Sequence, residues 1–93
     1  MNYGRAIRTA RAVRDMPQRE LARLTELNPS YISLIESGKR TPSTKALGKI
    51  GKVLGFPVPL LVILASSKEE FDGLNDETRA VMGTWFMNAV WGN

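Results

Sequence analysis

The 93-residue chain is predicted to be all-α: a compact bundle of five short helices followed by an additional C-terminal amphipathic helix. Three observations carry this expectation. Apolar residues recur at three- and four-residue intervals almost continuously to Ala65, the spacing of a buried helical stripe. Proline, glycine, asparagine and serine fall between these segments, where they suit helix starts and stops. A further stripe, Val81, Met82, Trp85, Phe86, Ala89 and Val90, repeats with helical period near the C-terminus.

The first helix is expected from about Tyr3 to Arg14, with Ile7 and Ala10 inward and arginines elsewhere. Asp15-Met16-Pro17 ends it, because the residue before a proline is pushed out of helical geometry. Pro17 suits the entry of a second helix, about Gln18 to Thr25, with Leu21 and Ala22 inward. The third, Asn28 to Ser37, is the best marked. Asn28 is a strong N-cap, and Pro29 sits at the first helical position, where a missing amide costs nothing. Ile32 and Ile35 face the core, and Gly38 supplies the left-handed residue that ends the helix.

Thr41-Pro42-Ser43 opens a fourth helix to about Leu54, with Leu47, Ile50 and Leu54 inward. Gly48 and Gly51 weaken it unless close packing requires them. After Gly55, a fifth helix begins near Pro57-Val58-Pro59 and carries the run Leu60 to Leu64. Ser66 to Gly73 is polar and reads as a linker. Asn75 or Asp76 then caps the last helix, whose first turn holds Asp76 and Glu77, favourable against the helix dipole. The organisation is therefore a domain over 1–65 and, over 66–93, a linker with a C-terminal helix. That helix either packs on the domain as cover for the apolar fifth helix or forms a dimer interface, two compatible readings.

Composition narrows the function. The chain has no cysteine and no histidine, which excludes disulfides and thiolate metal sites and removes the commonest general base. There is no glycine-rich phosphate loop, and the nine acids form no obvious cluster. No enzyme activity, cofactor or metal is expected. No stretch reaches the roughly 18 apolar residues of a membrane span, and the first residues do not resemble a signal peptide, so a cytoplasmic, nucleoid-associated protein is expected. The net charge of +4 hides an asymmetry. Up to Lys52, eleven basic residues stand against four acidic ones, a net +7, whereas the remainder carries −3. A basic half suits a polyanion, whose counterions binding would release, although a solvated basic surface gives the same count.

The segment Gln18-Arg19-Glu20-Leu21-Ala22, then Leu27 through Arg40, then Pro42-Ser43, resembles the phage-repressor-like helix-turn-helix DNA-binding family of the lambda and 434 repressors and Cro, the XRE type. The resemblance covers roughly Ile7 to Leu64. It implies a transcriptional regulator, a repressor by family habit, that reads double-stranded DNA with the helix Asn28 to Ser37. By the same resemblance, Gln18 bonds a phosphate, Arg19 lies beside it, and Asn28, Pro29, Ser30, Ser33 and Leu34 face base edges. Ser30 and Ser33 suit several bases, while Leu34 and the Pro29 ring suit thymine methyl groups. Tyr31 either reaches a phosphate or packs on the core with its tip wet, Asn28 either reads a base or only caps, and Lys39 and Arg40 grip the backbone. Arg11 and Glu36 match positions joined by a partly buried salt bridge that sets the angle of the reading helix.

The chain departs from the family pattern at Glu26, where glycine is common in the turn, and at Leu34, where arginine or glutamine is frequent. One such unit reads few base pairs, so a homodimer on a palindromic operator is expected, with half-sites about 34 Å apart. Its interface is expected at Leu60, Leu61, Val62, Leu64, Val81, Trp85, Phe86 and Ala89. An alternative is a protein-interaction module, such as an antitoxin, whose C-terminal helix binds a partner protein.

Overall fold

Local chemistry starts and stops each helix of the structure, a computed structural model that describes residues 1–73 and 75–91, without the side chains of Met82, Trp85, Phe86, Ala89, Val90 and Trp91. Seven helices and no strand occur among the described residues: α1 (Tyr3–Val13), α2 (Gln18–Thr25), α3 (Pro29–Glu36), α4 (Thr44–Leu54), α5 (Val58–Ala65), α6 (Lys68–Asp72) and α7 (Asp76–Trp91). The Asn2 side chain caps α1 by accepting from the Arg5 N–H at 2.9 Å. The helix ends where Asp15 turns left-handed, at φ 52°. Met16 N–H then bonds Arg11 O at 2.9 Å and Asp15 N–H bonds Ala12 O at 3.1 Å, the paired bonds of a Schellman ending. The chain is thus already out of the helix two residues before Pro17. Gly38, at φ 80°, ends α3 the same way, with Lys39 N–H on Leu34 O at 2.9 Å.

The inward residues form one core. Ile7, Leu21, Ile32, Ile35, Ile50, Leu54 and Leu61 are the largest fully buried side chains, and they come from all of the first five helices. Burying one such side chain contributes about 1.5–3 kcal/mol, which is why helices of eight residues, too short to persist alone, are held here. Thr25 is buried as well, and its hydroxyl is satisfied by donating to Leu21 O at 2.7 Å.

α1 and α5 pack against each other along their length and are tied at one end. Asn2 N–H bonds Ala65 O at 2.6 Å. The Arg5 guanidinium reaches Leu64 O at 3.1 Å and Ser66 O at 3.2 Å, taking up carbonyls that the end of a helix leaves unpaired. At the other end of α1, Arg14 Nε donates to Leu54 O at 2.6 Å and its guanidinium lies 5.3 Å from the Phe56 ring centre.

The polar stretch 66–73, expected as a linker, contains the short helix α6. A capping box makes it: Ser67 Oγ accepts from Glu70 N–H at 3.0 Å, and the Glu70 carboxylate accepts from Ser67 N–H at 2.9 Å. The Met1 ammonium also meets Glu70, at 2.7 Å. With the Met1 ammonium first among the causes and the Ser67 N–H second, the Glu70 carboxyl is held below its ordinary value. Asn75 caps α7 by accepting from Thr78 N–H at 2.7 Å, and α7 packs on α5.

The two glycines inside α4 differ. A Cβ at Gly51 would lie 2.6 Å from the Phe56 carbonyl oxygen, whereas one at Gly48 would meet nothing within 4 Å. Close packing therefore accounts for Gly51 and not for Gly48. Gly48→Ala should stabilise the fold by about 0.5–1 kcal/mol, a rise of several degrees in Tm. Gly51→Ala should lower it. Thermal unfolding of the two variants checks both signs.

Candidate nucleic-acid interface

The α2–α3 corner is built on one residue in an uncommon conformation. Glu26 is left-handed, at φ 59° and ψ 24°, so the chain reverses within three residues. A side chain there costs roughly 1 kcal/mol that a glycine would not. Leu27 packs against the core after it. Asn28 then caps α3: its Oδ1 accepts from Ser30 N–H at 2.7 Å. Pro29 occupies the first helical position, as the sequence leads one to expect.

α3 has two unlike faces. Ile32, Ile35 and Glu36 are buried, while Asn28, Pro29, Ser30, Ser33 and Leu34 are all exposed. Leu34 is 37% exposed. Around this bare face stand exposed cations: Arg19 near the start of α2, and Lys39 and Arg40 just beyond α3. Gln18, the first residue of α2, is half-buried.

Tyr31 bridges α3 to the next helix. Its hydroxyl accepts from Ser43 N–H at 3.0 Å, while its ring packs on the core and lies 5.4 Å from the Arg40 guanidinium. One oxygen lone pair is used in this way, and the phenolic hydrogen is left to donate elsewhere.

The buried end of α3 is held by arginines of α1. Arg11 meets the Glu36 carboxylate through two bonds, Nε to Oε2 at 2.8 Å and Nη2 to Oε1 at 2.6 Å. Its third nitrogen donates to Met16 O at 2.9 Å, so one guanidinium joins α1, α3 and the α1–α2 turn. Arg8 donates to the Glu36 carbonyl. Gly4 permits this approach, since a Cβ there would lie 2.7 Å from the carbonyls of Ile35 and Glu36.

These contacts change the meaning of the basic half. Arg5, Arg8, Arg11 and Arg14 all bond carbonyls or a carboxylate within the chain. Arg23 pairs with Glu20, whose carboxyl is held below its ordinary value, above all by the bond from Arg23. The cations without such a partner among the described residues are Arg19, Lys39, Arg40, Lys45, Lys49 and Lys52, gathered on α2, α4 and the loop before α4.

The residues expected at a dimer interface divide. Leu60 and Leu61 are 6% and 0% exposed within the single chain, so they belong to its core; the helical run carried no sign of which side faced in. Val62 and Leu64 are half-buried and Val81 is 54% exposed. The side chains of Trp85, Phe86 and Ala89 lie outside the described residues. A feature the sequence did not single out is an open apolar cleft among α5, α6 and α7, lined by Ile63, Phe71, Ala80, Gly83, Thr84, Met87 and Asn88.

Two short helices, a left-handed corner and a second helix with its outer face bare define a helix-turn-helix domain. Residues 7–61 match the family described as helix-turn-helix, and the chain belongs to that family in its XRE type, that of DNA-binding transcriptional regulators. Multiprotein-bridging factor 1 of Debaryomyces hansenii is 36% identical over 55 residues, which are 59% of this chain and 37% of that protein. The chain thus matches little more than a third of that relative's length. The clp gene regulator ClgR from Corynebacterium glutamicum, a crystal structure, shares the fold with a TM-score of 0.66 at 23% identity, over 99% of this chain and 93% of the other.

Arg11→Met should strand a carboxylate that is 4% exposed and cost about 3–5 kcal/mol. The double variant Arg11→Met/Glu36→Met should recover most of that loss. Denaturant unfolding of the three proteins decides whether the pair acts as a unit.

Proposed function

We propose that the chain is a sequence-specific transcriptional repressor that binds a palindromic operator as a homodimer and reads the major groove with α3. The bare face of α3 carries this reading. Five exposed residues, Asn28, Pro29, Ser30, Ser33 and Leu34, cover it without a charge. Hydroxyls there suit base edges, and Leu34 and Pro29 suit thymine methyl groups. Asn28 uses its oxygen to cap the helix, which leaves the amide NH₂ as its contribution to recognition.

The flanking groups take the backbone. Gln18 and Arg19 meet phosphates on one side of α3, and Lys39, Arg40 and the Tyr31 hydroxyl meet them on the other. Such contacts hold register and carry little sequence information. Occupancy of the operator then excludes polymerase. The protein acts in the cytoplasm on the nucleoid, and this reading assigns it no catalytic group, cofactor or metal.

A second copy doubles the few base pairs that one unit reads. The cleft among α5, α6 and α7, with Val81 and Met87 about half exposed nearby, supports placing the interface there. The same cleft favours a second reading, in which the C-terminal helix binds a different protein, as an antitoxin does.

Selection of bound duplexes from a random pool at near-physiological salt tests the main proposal. The expected winner is a palindrome with half-sites about one helical turn apart. Ser33→Ala should then relax one base position per half-site by about 1 kcal/mol, roughly fivefold, with little change elsewhere. No enrichment by the folded protein rejects the reading. Light scattering tests the interface: the parent should run as a dimer, and Val81→Asp as a folded monomer with weaker operator binding. A parent that stays monomeric well above its binding concentration removes the dimer and leaves the partner-protein reading.

A further inference from the structure

The DNA-binding proposal uses only Tyr31 and Arg40, at the near end, of a shallow trough beside α4. Its near half is lined by Tyr31, Arg40, Ser43, Lys45 and Lys49, among others. Its far half is lined by Leu24, Thr25, Glu26, Lys49, Lys52 and Val53. Lys49 lines both halves.

The far half combines two kinds of surface. Leu24 is 43% exposed at the end of α2, although its neighbour Thr25 is buried, and Val53 beside it is half-buried. Lys45, Lys49 and Lys52 recur at intervals of four and three residues and so share one outer face of α4. Glu26 is the single acidic residue lining either half. A DNA duplex does not account for this pairing. Phosphates gain nothing from an exposed leucine, and α4 starts beside α3 and carries Lys52 about 10 Å further on than Lys45, at 1.5 Å per residue.

We propose that the trough is a docking site for an acidic, amphipathic segment of a partner protein. An apolar residue of that segment sits on Leu24 and Val53, and its carboxylates lie along Lys45, Lys49 and Lys52. Charge complementarity selects the occupant, and the apolar floor separates it from a nucleic acid. The far half shares no residue with the surface proposed to bind the operator, so failure of one proposal is distinguishable from failure of the other.

The test is an NMR titration of the full ¹⁵N-labelled chain with a synthetic helical peptide of roughly 16 residues. It carries leucine at helical spacing and glutamate elsewhere. The controls are the same peptide with serine for leucine, and a random-sequence DNA duplex. Saturable amide shifts are expected at residues 24–26 and 49–53. Binding should weaken at least about tenfold for the serine peptide and for Lys49→Glu/Lys52→Glu, and tighten several-fold for Glu26→Gln. All three substituted positions are exposed, and the dispersion of each variant's own spectrum checks its fold. Four outcomes overturn the proposal: no saturable shift, equal binding of the serine peptide, shifts confined to residues 30–34, or shifts at 49–53 produced by the duplex and not by the peptide.

Discussion

A single buried residue, Glu36, fixes the geometry on which the exposed helix depends. Its carboxylate receives two bonds from Arg11, its carbonyl receives one from Arg8, and Gly4 lets α1 approach the same carbonyl closely. α3 is eight residues long, so it has no stiffness of its own to set a direction. Clamping its last residue to α1, while Ile32 and Ile35 are held in the core, leaves one orientation and one outer face. A lone ion pair on the surface would contribute little. This pair is 18% and 4% exposed and has fork geometry, so losing one partner strands a charge in the interior.

The four arginines Arg5, Arg8, Arg11 and Arg14, on α1 and at its C-cap, show why net charge is a poor guide to a binding face. Read as a sum, they supply more than half of the excess in the basic half. Read as structure, they serve as ties: Arg5 takes the end of α5, Arg14 the end of α4, and Arg8 and Arg11 the end of α3. One helix thus caps three others at their C-termini, where carbonyls lack partners and cations are favoured. The field available to a polyanion comes instead from the fewer cations around α3 and along α4.

What was legible in the sequence was local. Asn28, Pro29 and Gly38 mark α3 within one turn of themselves, and the structure places each in the conformation that its chemistry suggests. Glu26 was legible as a departure from glycine, and its left-handed backbone shows what that departure costs. Asp15 was hidden, because Pro17 offered a sufficient reason for the break and aspartate signals a left-handed turn only weakly. The five-residue α6 has no apolar stripe, and only the pair Ser67 and Glu70 announces it. The long ties were beyond reach: Arg14 bonds a carbonyl 40 positions away, and no periodicity records that. In the same way, the run Leu60 to Leu64 announced burial but not which leucines face the core.

The bond between Asn2 and Ala65 makes the helix-turn-helix unit close to a ring. The backbone enters at α1 and leaves at the end of α5 within 2.6 Å of the same point. Joining those two positions with a few residues would leave every core contact in place, so the unit is suited to circular permutation, with new ends opened in an exposed loop. It is equally suited to insertion into a surface loop of another protein, since a host needs to supply only a narrow gap. α3 would travel with it unchanged, because among the described residues the ties that orient it, from Arg8, Arg11 and the core, lie inside that ring.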